Sequence, residues 1–312
     1  MTLPECTGAL EGLKIVDRDH LDRYKAAVAA GNQIGWGYYF PNLLAQNRPG
    51  RSAILVIEDE GSLCVFRWRL RDAVPRLELY LPPIPLSISV LRRCLERANT
   101  FNADRSARIV RIDARDAEAM SGVPGLRVRP RATQYVFAPG AYEDLGGQAY
   151  RTIRRNVALF EGRADVEVAP FSAAHAEGCR ALLARWKTAH REAHGTAGGV
   201  GTSSRAIEWA GTLPAADLGG EVVLLDGRLS GYALGGEIRP GWACAFDRKC
   251  DNDVRGLTYF QFRSFLLSLR GFERVNDGSD AGRPGLRQLK DSFRPVEMHA
   301  EYRATQEGRL TA

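Results

Sequence analysis

Long apolar runs are missing from this 312-residue chain. Stretches such as 53–57 and 222–225 fall far short of the ~20 apolar residues a spanning helix needs, which excludes a helical membrane protein. The opening residues, Met1-Thr2-Leu3-Pro4-Glu5-Cys6, have neither a basic n-region nor an apolar h-region, so no secretory signal is read and a cytoplasmic location is expected. Paired cysteines are missing too. Cys6, Cys64, Cys94, Cys179, Cys244 and Cys250 contain no CxxC spacing and read as free, mostly buried thiols rather than a disulfide frame or zinc site. The five histidines are scattered; His190 and His194 stand four apart, but no third ligand completes a set, so no metal centre is expected. No long polar tract appears, and with 45 % hydrophobic and 26 % charged residues a largely disordered chain is excluded.

Lysine is scarce as well. Lys14, Lys25, Lys187, Lys249 and Lys290 are the only five, and arginine supplies the rest of a formal net charge of +6. That balance favours a polyanionic partner such as a nucleic acid, a phosphorylated cofactor or an anionic headgroup.

The length suits two domains of about 150 residues. In the first half, helical spacing over 19–30 is followed by an aromatic, glycine-broken segment at 36–44, read as a packed loop or short turn. Strand patterns follow at 52–58, 62–67 and 77–81, a helix at 86–99, a strand at 107–112, a helix near 116–120 and a strand at 134–137. The second half reads as helix 149–160, strand 166–171, helix 173–192, a glycine-rich break at 195–201 and a short helix at 204–211. Strands at 221–225, 228–237 and 242–249 come next, the first two joined by Asp226-Gly227 as a two-residue hairpin. Helix 257–269, strand 274–276, helix 284–293 and strand 296–303 complete it. The break at 195–201 reads either as a lid over a pocket or as a flexible surface connection. Trp186, Trp209 and Trp242 read as core or pocket-wall aromatics. The element order predicts an α/β (α+β) protein of two tandem domains, 1–140 and 141–312, each a mixed, mostly antiparallel sheet flanked by helices in the order of the GCN5-related N-acetyltransferase (GNAT) fold.

The residues with chemistry concentrate between Phe246 and Pro295. The segment Phe246-Asp247-Arg248-Lys249-Cys250 ends a strand, and Val254-Arg255-Gly256 hands over to a helix whose first N–H groups could receive an anion. An ordinary solvated loop is the other reading. The glycines that cradle pyrophosphate in acyl-CoA-using GNAT enzymes are reduced here to Arg255-Gly256. Further on, a strand enters the polar turn Asn276-Asp277-Gly278-Ser279-Asp280 and then a helix with Pro284 near its start. Arg283, Arg287, Lys290 and Arg294 recur every three or four residues and are expected to share one helix face. That face reads as an anion site or as a solvated stripe paired with Asp280 and Asp291. Cys250 lies beside these groups with nothing to activate it as a thiolate.

The run from Tyr142-Glu143-Asp144-Leu145 through Tyr150 to Arg154-Arg155-Asn156 and Phe160 resembles the opening helix of the soluble domain of bacterial phosphatidylglycerol lysyltransferases. Asn276 to Asp280, Gly282, Gly285-Leu286-Arg287, Lys290 and Phe293-Arg294-Pro295 are similar to that family's closing motif. The resemblance implies a tandem GNAT fold related to the Fem-type transferases, with aminoacyl-tRNA as donor in place of acyl-CoA. It implies a lipid hydroxyl or small-molecule amine as acceptor, and the missing membrane-embedded region favours a soluble one. An aminoacyl ester is already activated, so the chemistry requires no metal or nucleotide cofactor. It does require an acceptor that loses a proton and a stabilised oxyanion. Lys290 is the candidate for oxyanion or terminal-phosphate stabilisation, because a compact ammonium suits a point charge. Asp247 and Asp280 are candidates for gripping the α-ammonium or deprotonating the acceptor. Arg248, Lys249, Arg255 and Arg287, with Gly256 and Asn276 in the same loops, would hold the tRNA end. Arg151, Arg154 and Arg155 either extend that track or form a solvated helix face. An acyl-CoA-dependent N-acyltransferase and a non-catalytic tRNA- or anion-binding module are the competing functions.

Overall fold

A computed structural model describes residues 8–195 and 200–307. In chain order the elements are β1 (Lys14–Ile15), α1 (Leu21–Gly31), α2 (Phe40–Ala45), β2 (Ser52–Asp59), β3 (Ser62–Arg71), β4 (Val74–Ile84), α3 (Ile88–Asn102), β5 (Arg108–Asp113), α4 (Ala114–Ser121) and β6 (Leu126–Phe137). They continue with α5 (Arg151–Val157), β7 (Val166–Pro170), α6 (Ala176–His194), α7 (Val200–Trp209), α8 (Ala215–Leu218), β8 (Gly219–Leu225), β9 (Arg228–Arg239) and β10 (Trp242–Cys250). The last are α9 (Leu257–Ser268), β11 (Arg274–Ser279), α10 (Pro284–Ser292) and β12 (Glu297–Gln306). No described helix is long and apolar enough to cross a membrane.

Local chemistry accounts for many boundaries. Asp226 (φ 50°) and Gly227 (φ 72°) form the tight turn between β8 and β9 that their sequence predicts. Ser87 caps α3 by accepting from the Val90 N–H, and Val90, Leu91, Cys94, Leu95 and Ala98 of α3 pack on Phe66, Trp68 and Leu79. Three of the differences from expectation have a local cause. Residues 36–44 contain α2, with Pro41 in its first turn; all six of its residues are buried, so it has no polar face for periodicity to reveal. Strand β6 begins eight residues early, because Arg127, Arg129 and Arg131 alternate along it and hide the strand pattern. Strand β11 runs on to Ser279 because the buried polar groups of Asn276 and Asp277 find side-chain partners.

The chain divides into two compact units: one holds the residues up to Thr133 and those from His299 on, the other Gln134–Met298. The second unit therefore does not run to the C-terminus, as a 141–312 domain would. In the first unit, β1 to β4 form an antiparallel meander, β5 pairs parallel with β4 after α3, and β12 closes against β5. In the second, β7 to β10 form the meander, β11 pairs parallel with β10 after α9, and the end of β6 closes against β11. Each unit takes its closing strand from the other half of the sequence. A chain-order reading assigns the strand after α4 and the strand after α10 the other way round.

Candidate active site

The site lies in the second unit, where β10 and β11 part. Their parallel pairing runs only from Trp242↔Arg274 to Cys244↔Asn276, although both strands continue. Just there β10 carries a bulge against β9: Ala245 faces Gly235 and Asp247 faces Leu234, with Phe246 as the extra residue. A bulge reverses the alternation of faces. Ala243 and Ala245 pack in the core beside α9, but Asp247 turns to the other face, towards α6 and α7, and Arg248 returns to the α9 side.

On the α9 side, side chains bridge the parted strands. Arg248 lies 3.8 Å over the Phe262 ring and donates to the Asp277 carboxylate at 2.8 Å. Lys290 reaches the same carboxylate at 2.9 Å and donates to the backbone carbonyls of Asp277 (2.5 Å) and Gly278 (3.0 Å). Burial alone would raise the Asp277 pKa, but Arg248 and Lys290 overcome it and hold the carboxyl below its usual range. Asn276 stiffens the same strand, donating to Gln134 Oε1 at 2.7 Å and accepting from the Gly278 N–H at 2.8 Å.

The expected open face of four cations is not found. Lys290 is only 2 % exposed, while Arg287 and Arg294 are exposed and Arg283 is half-buried. Lys290 borders the apolar stripe of Leu286, Leu289 and Phe293, so it turns inward as they pack. All three Nζ donors are taken within the protein, and the side chain holds Asp277 in place. Arg287 and Arg294 border a shallow hollow of about 470 Å³ that also includes Asp291. Arg287 is tied to Asp280 at 2.7 Å, and Tyr135 donates to Asp280 at 3.2 Å. The Arg287 hydrogen bond is the chief cause that holds the Asp280 carboxyl low.

On the α6–α7 side, Asp247 is the hub. Its carboxylate accepts from Tyr232 (2.8 Å), Ser203 (2.9 Å) and Lys249 (2.5 Å). The Lys249 ammonium stands 5.1 Å from the centroid of Trp186, which in turn stacks on His190. Two of the three Lys249 donors are used within the described residues, on Asp247 and on the Arg248 carbonyl. Tyr232 and Ser203 escaped the sequence reading, because only the strand pairing and the bulge bring them to Asp247.

Arg255 is exposed. Gly256 (φ 84°) starts α9, but what approaches it is α5: an added Cβ would meet Leu159 at 3.0 Å and the Asn156 carbonyl at 3.1 Å. Helix packing demands this glycine, without any phosphate. Arg154 donates to the carbonyls of Leu145 and Gly147 and so pins the loop before α5, while Arg151 and Arg155 are exposed. Burial pushes the Cys250 thiol up, away from thiolate character. Residues 196–199 of the glycine-rich break and Cys6 lie outside the described residues.

The sequence model of the family described as phosphatidylglycerol lysyltransferase, C-terminal, matches residues 83–305. The chain belongs to that family. None of the curated proteins matches the sequence. Among solved structures, a conserved protein of unknown function from Bacteroides thetaiotaomicron is similar over 94 % of this chain and 99 % of its own, at 18 % identity and a TM-score of 0.78. L-PGS from Bacillus licheniformis is similar over 95 % and 94 %, at 13 % identity and a TM-score of 0.67. FemX is similar over 93 % and 96 %, at 10 % identity and 0.62. At these identities the likeness is one of fold. Membership of the family makes the chain a transferase of the aminoacyl or acyl class.

Proposed function

We propose that the chain moves an aminoacyl group from charged tRNA to an amine or hydroxyl of a small-molecule or lipid acceptor, using the Asp247 hub. The observation that supports this most is a nearly closed-off carboxylate bonded by a phenol, a hydroxyl and an ammonium, beside the point where two strands part. The donor ester is already activated. Asp247 grips the α-ammonium of the aminoacyl group or takes the proton as the acceptor attacks, and Tyr232 and Ser203 fix its orientation. The acceptor forms the new amide or ester bond, the old bond to the tRNA ribose breaks, and the ribose oxygen leaves with the proton. Lys249 replaces Lys290 as the compact cation for the developing oxyanion, an interaction commonly worth about 3 kcal/mol of barrier. Arg287 and Arg294 at the α10 hollow suit the phosphates of the tRNA end. The α9 entrance lacks the glycine cradle a CoA pyrophosphate needs, which disfavours the acyl-CoA reading.

The test supplies tRNA charged with labelled amino acids, with and without ribonuclease, and labelled acetyl-CoA in parallel. The acceptors offered are phosphatidylglycerol and a panel of polar amines. Label transfer that ribonuclease abolishes is the expected result. Ribonuclease-insensitive transfer from acetyl-CoA would make the chain an N-acyltransferase, and tRNA binding without transfer to any acceptor would make it a binding module.

A further inference from the structure

The first unit holds a pair of thiols that the transfer chemistry does not use. Cys64 lies on β3, on the face it shares with Phe66 and Trp68, and Cys94 lies on α3 in the stripe that packs there. Both are free thiols buried in one core cluster, 1 % and 4 % exposed. Cys94 shares a side-chain hydrogen bond with Cys64, and the Cys64 thiol donates in turn to the Ser62 carbonyl at 3.8 Å. The sulfurs therefore face each other where the helix meets the strand. That hydrogen bond, with burial, pushes the Cys94 thiol up, so Cys94 keeps its proton. An S–H aimed at a second sulfur assists that sulfur as a nucleophile.

The pair is also within reach of a small solute. Cys64 and Cys94 both line a cavity of about 340 Å³, together with Arg93 and Asp59. Arg93 donates to Asp59 at 2.8 Å with both side chains partly in solvent, so one wall of the cavity is a wet, charged rim above the buried sulfurs. A single oxidised thiol at this depth would place a polar sulfenic or sulfinic group in an apolar core. A disulfide is neutral and apolar, and it requires only that two facing sulfurs close to about 2.05 Å. Cys250 makes the contrast. It is buried too, but its sulfur meets the Thr258 hydroxyl at 2.9 Å, which cannot form such a bond.

We infer that Cys64 and Cys94 form a reversible oxidation site, which hydrogen peroxide entering the cavity closes to a disulfide that ties α3 to β3. The Cys64 sulfur attacks the peroxide: an S–O bond forms, the O–O bond breaks and one water leaves. The Cys94 sulfur then attacks Cys64: the S–S bond forms, the S–O bond breaks and a second water leaves. Two thiols give up two electrons and two protons, and the peroxide takes them. The inference does not rest on the transferase reading. Full-length reduced protein, freed of reductant, is treated with hydrogen peroxide, then denatured, alkylated and digested without reduction for mass spectrometry. A linked pair of peptides containing Cys64 and Cys94 is expected, two hydrogens lighter than the free pair, with both thiols restored by dithiothreitol. It should form about tenfold faster or more than any oxidation product at Cys179 or Cys250, whose sulfurs are buried in the second unit. Cys94→Ser should stop the reaction at a Cys64 sulfenic acid that dimedone traps. Three outcomes overturn the inference: Cys64 and Cys94 still alkylated when Cys179 or Cys250 is oxidised, a link from either to a different cysteine such as Cys6, or a Cys64–Cys94 link that forms only in denatured protein.

Discussion

The two units fill one position of their shared strand order with different chemistry. In each, a strand returns parallel to the meander after a helix: β5 in the first unit, β11 in the second. Asp113, at the end of β5, is buried and accepts from the N–H groups of Ile34 (3.0 Å), Gly35 (2.7 Å) and Arg115 (3.1 Å), with His299 at 3.2 Å. Asp277 of β11 is buried as well, but its partners are the long cations Arg248 and Lys290. Backbone donors fix a loop and cap a helix. Side-chain cations instead leave a positive excess within a gap between strands, next to the Asp247 hub. The comparison teaches that a buried aspartate at one topological position can serve as an anchor or as part of a charged site, and that its donors decide which.

The largest expected effect is on stability. Lys290→Met removes one of the two cations on a buried carboxylate and should cost about 3–5 kcal/mol in denaturant unfolding. Replacing Asp277 by Leu in the same chain should recover part of that loss. A Lys290→Met variant as stable as the parent would deny the network its structural role. Next, Asp247→Asn should lower transfer by about 10²–10³-fold when assayed below the variant's own melting temperature, which should itself fall because Lys249 loses its carboxylate partner.

Two buried carboxyls sharpen the comparison through pH. Burial pushes Glu221 of the second unit up from 4.5 to about 7, with Ser264 opposing, and one of its oxygens has no partner among the described residues. Burial likewise pushes Asp116 of the first unit up to about 6, and Asp113 adds to the rise. Both folded groups keep a proton that the unfolded chain has already released. Their contribution is therefore complete below the unfolded pKa and is lost as pH rises through the folded one. Glu221→Gln should leave stability unchanged near pH 4.5 and raise it by up to about 3 kcal/mol above pH 7, read from melting curves across that range. Asp116→Asn should show the same sign in a lower window. The smallest effect concerns Gly256→Ala, which meets both a left-handed backbone and the α5 carbonyl and should cost about 1 kcal/mol or more. An unchanged melting temperature with a raised KM would return Gly256 to a binding role.

Much of the fold was legible because short-range chemistry sets it. Asp226-Gly227 announces its turn, the apolar spacing in α3 marks the face that packs, and the charged ends of β10 and β11 mark the candidate site. What escaped depends on pairing across the sheet. A single extra residue, Phe246, sends Asp247 and Arg248 to faces opposite those alternation implies, and no local pattern reveals it. The spacing of Arg283, Arg287, Lys290 and Arg294 is truly helical, yet one lysine of the stripe is buried, because burial follows the neighbouring leucines rather than charge. Tyr232 and Ser203 join the hub from β9 and α7, and the exchange of closing strands between the halves of the sequence has no local signature either.

The most direct measurement compares aminoacyl transfer from charged tRNA by Asp247→Asn and by Asp113→Asn, each assayed below its own melting temperature. Loss of transfer in the first with retention in the second is the predicted result. Retention in Asp247→Asn would contradict the account, whatever happens to Asp113→Asn.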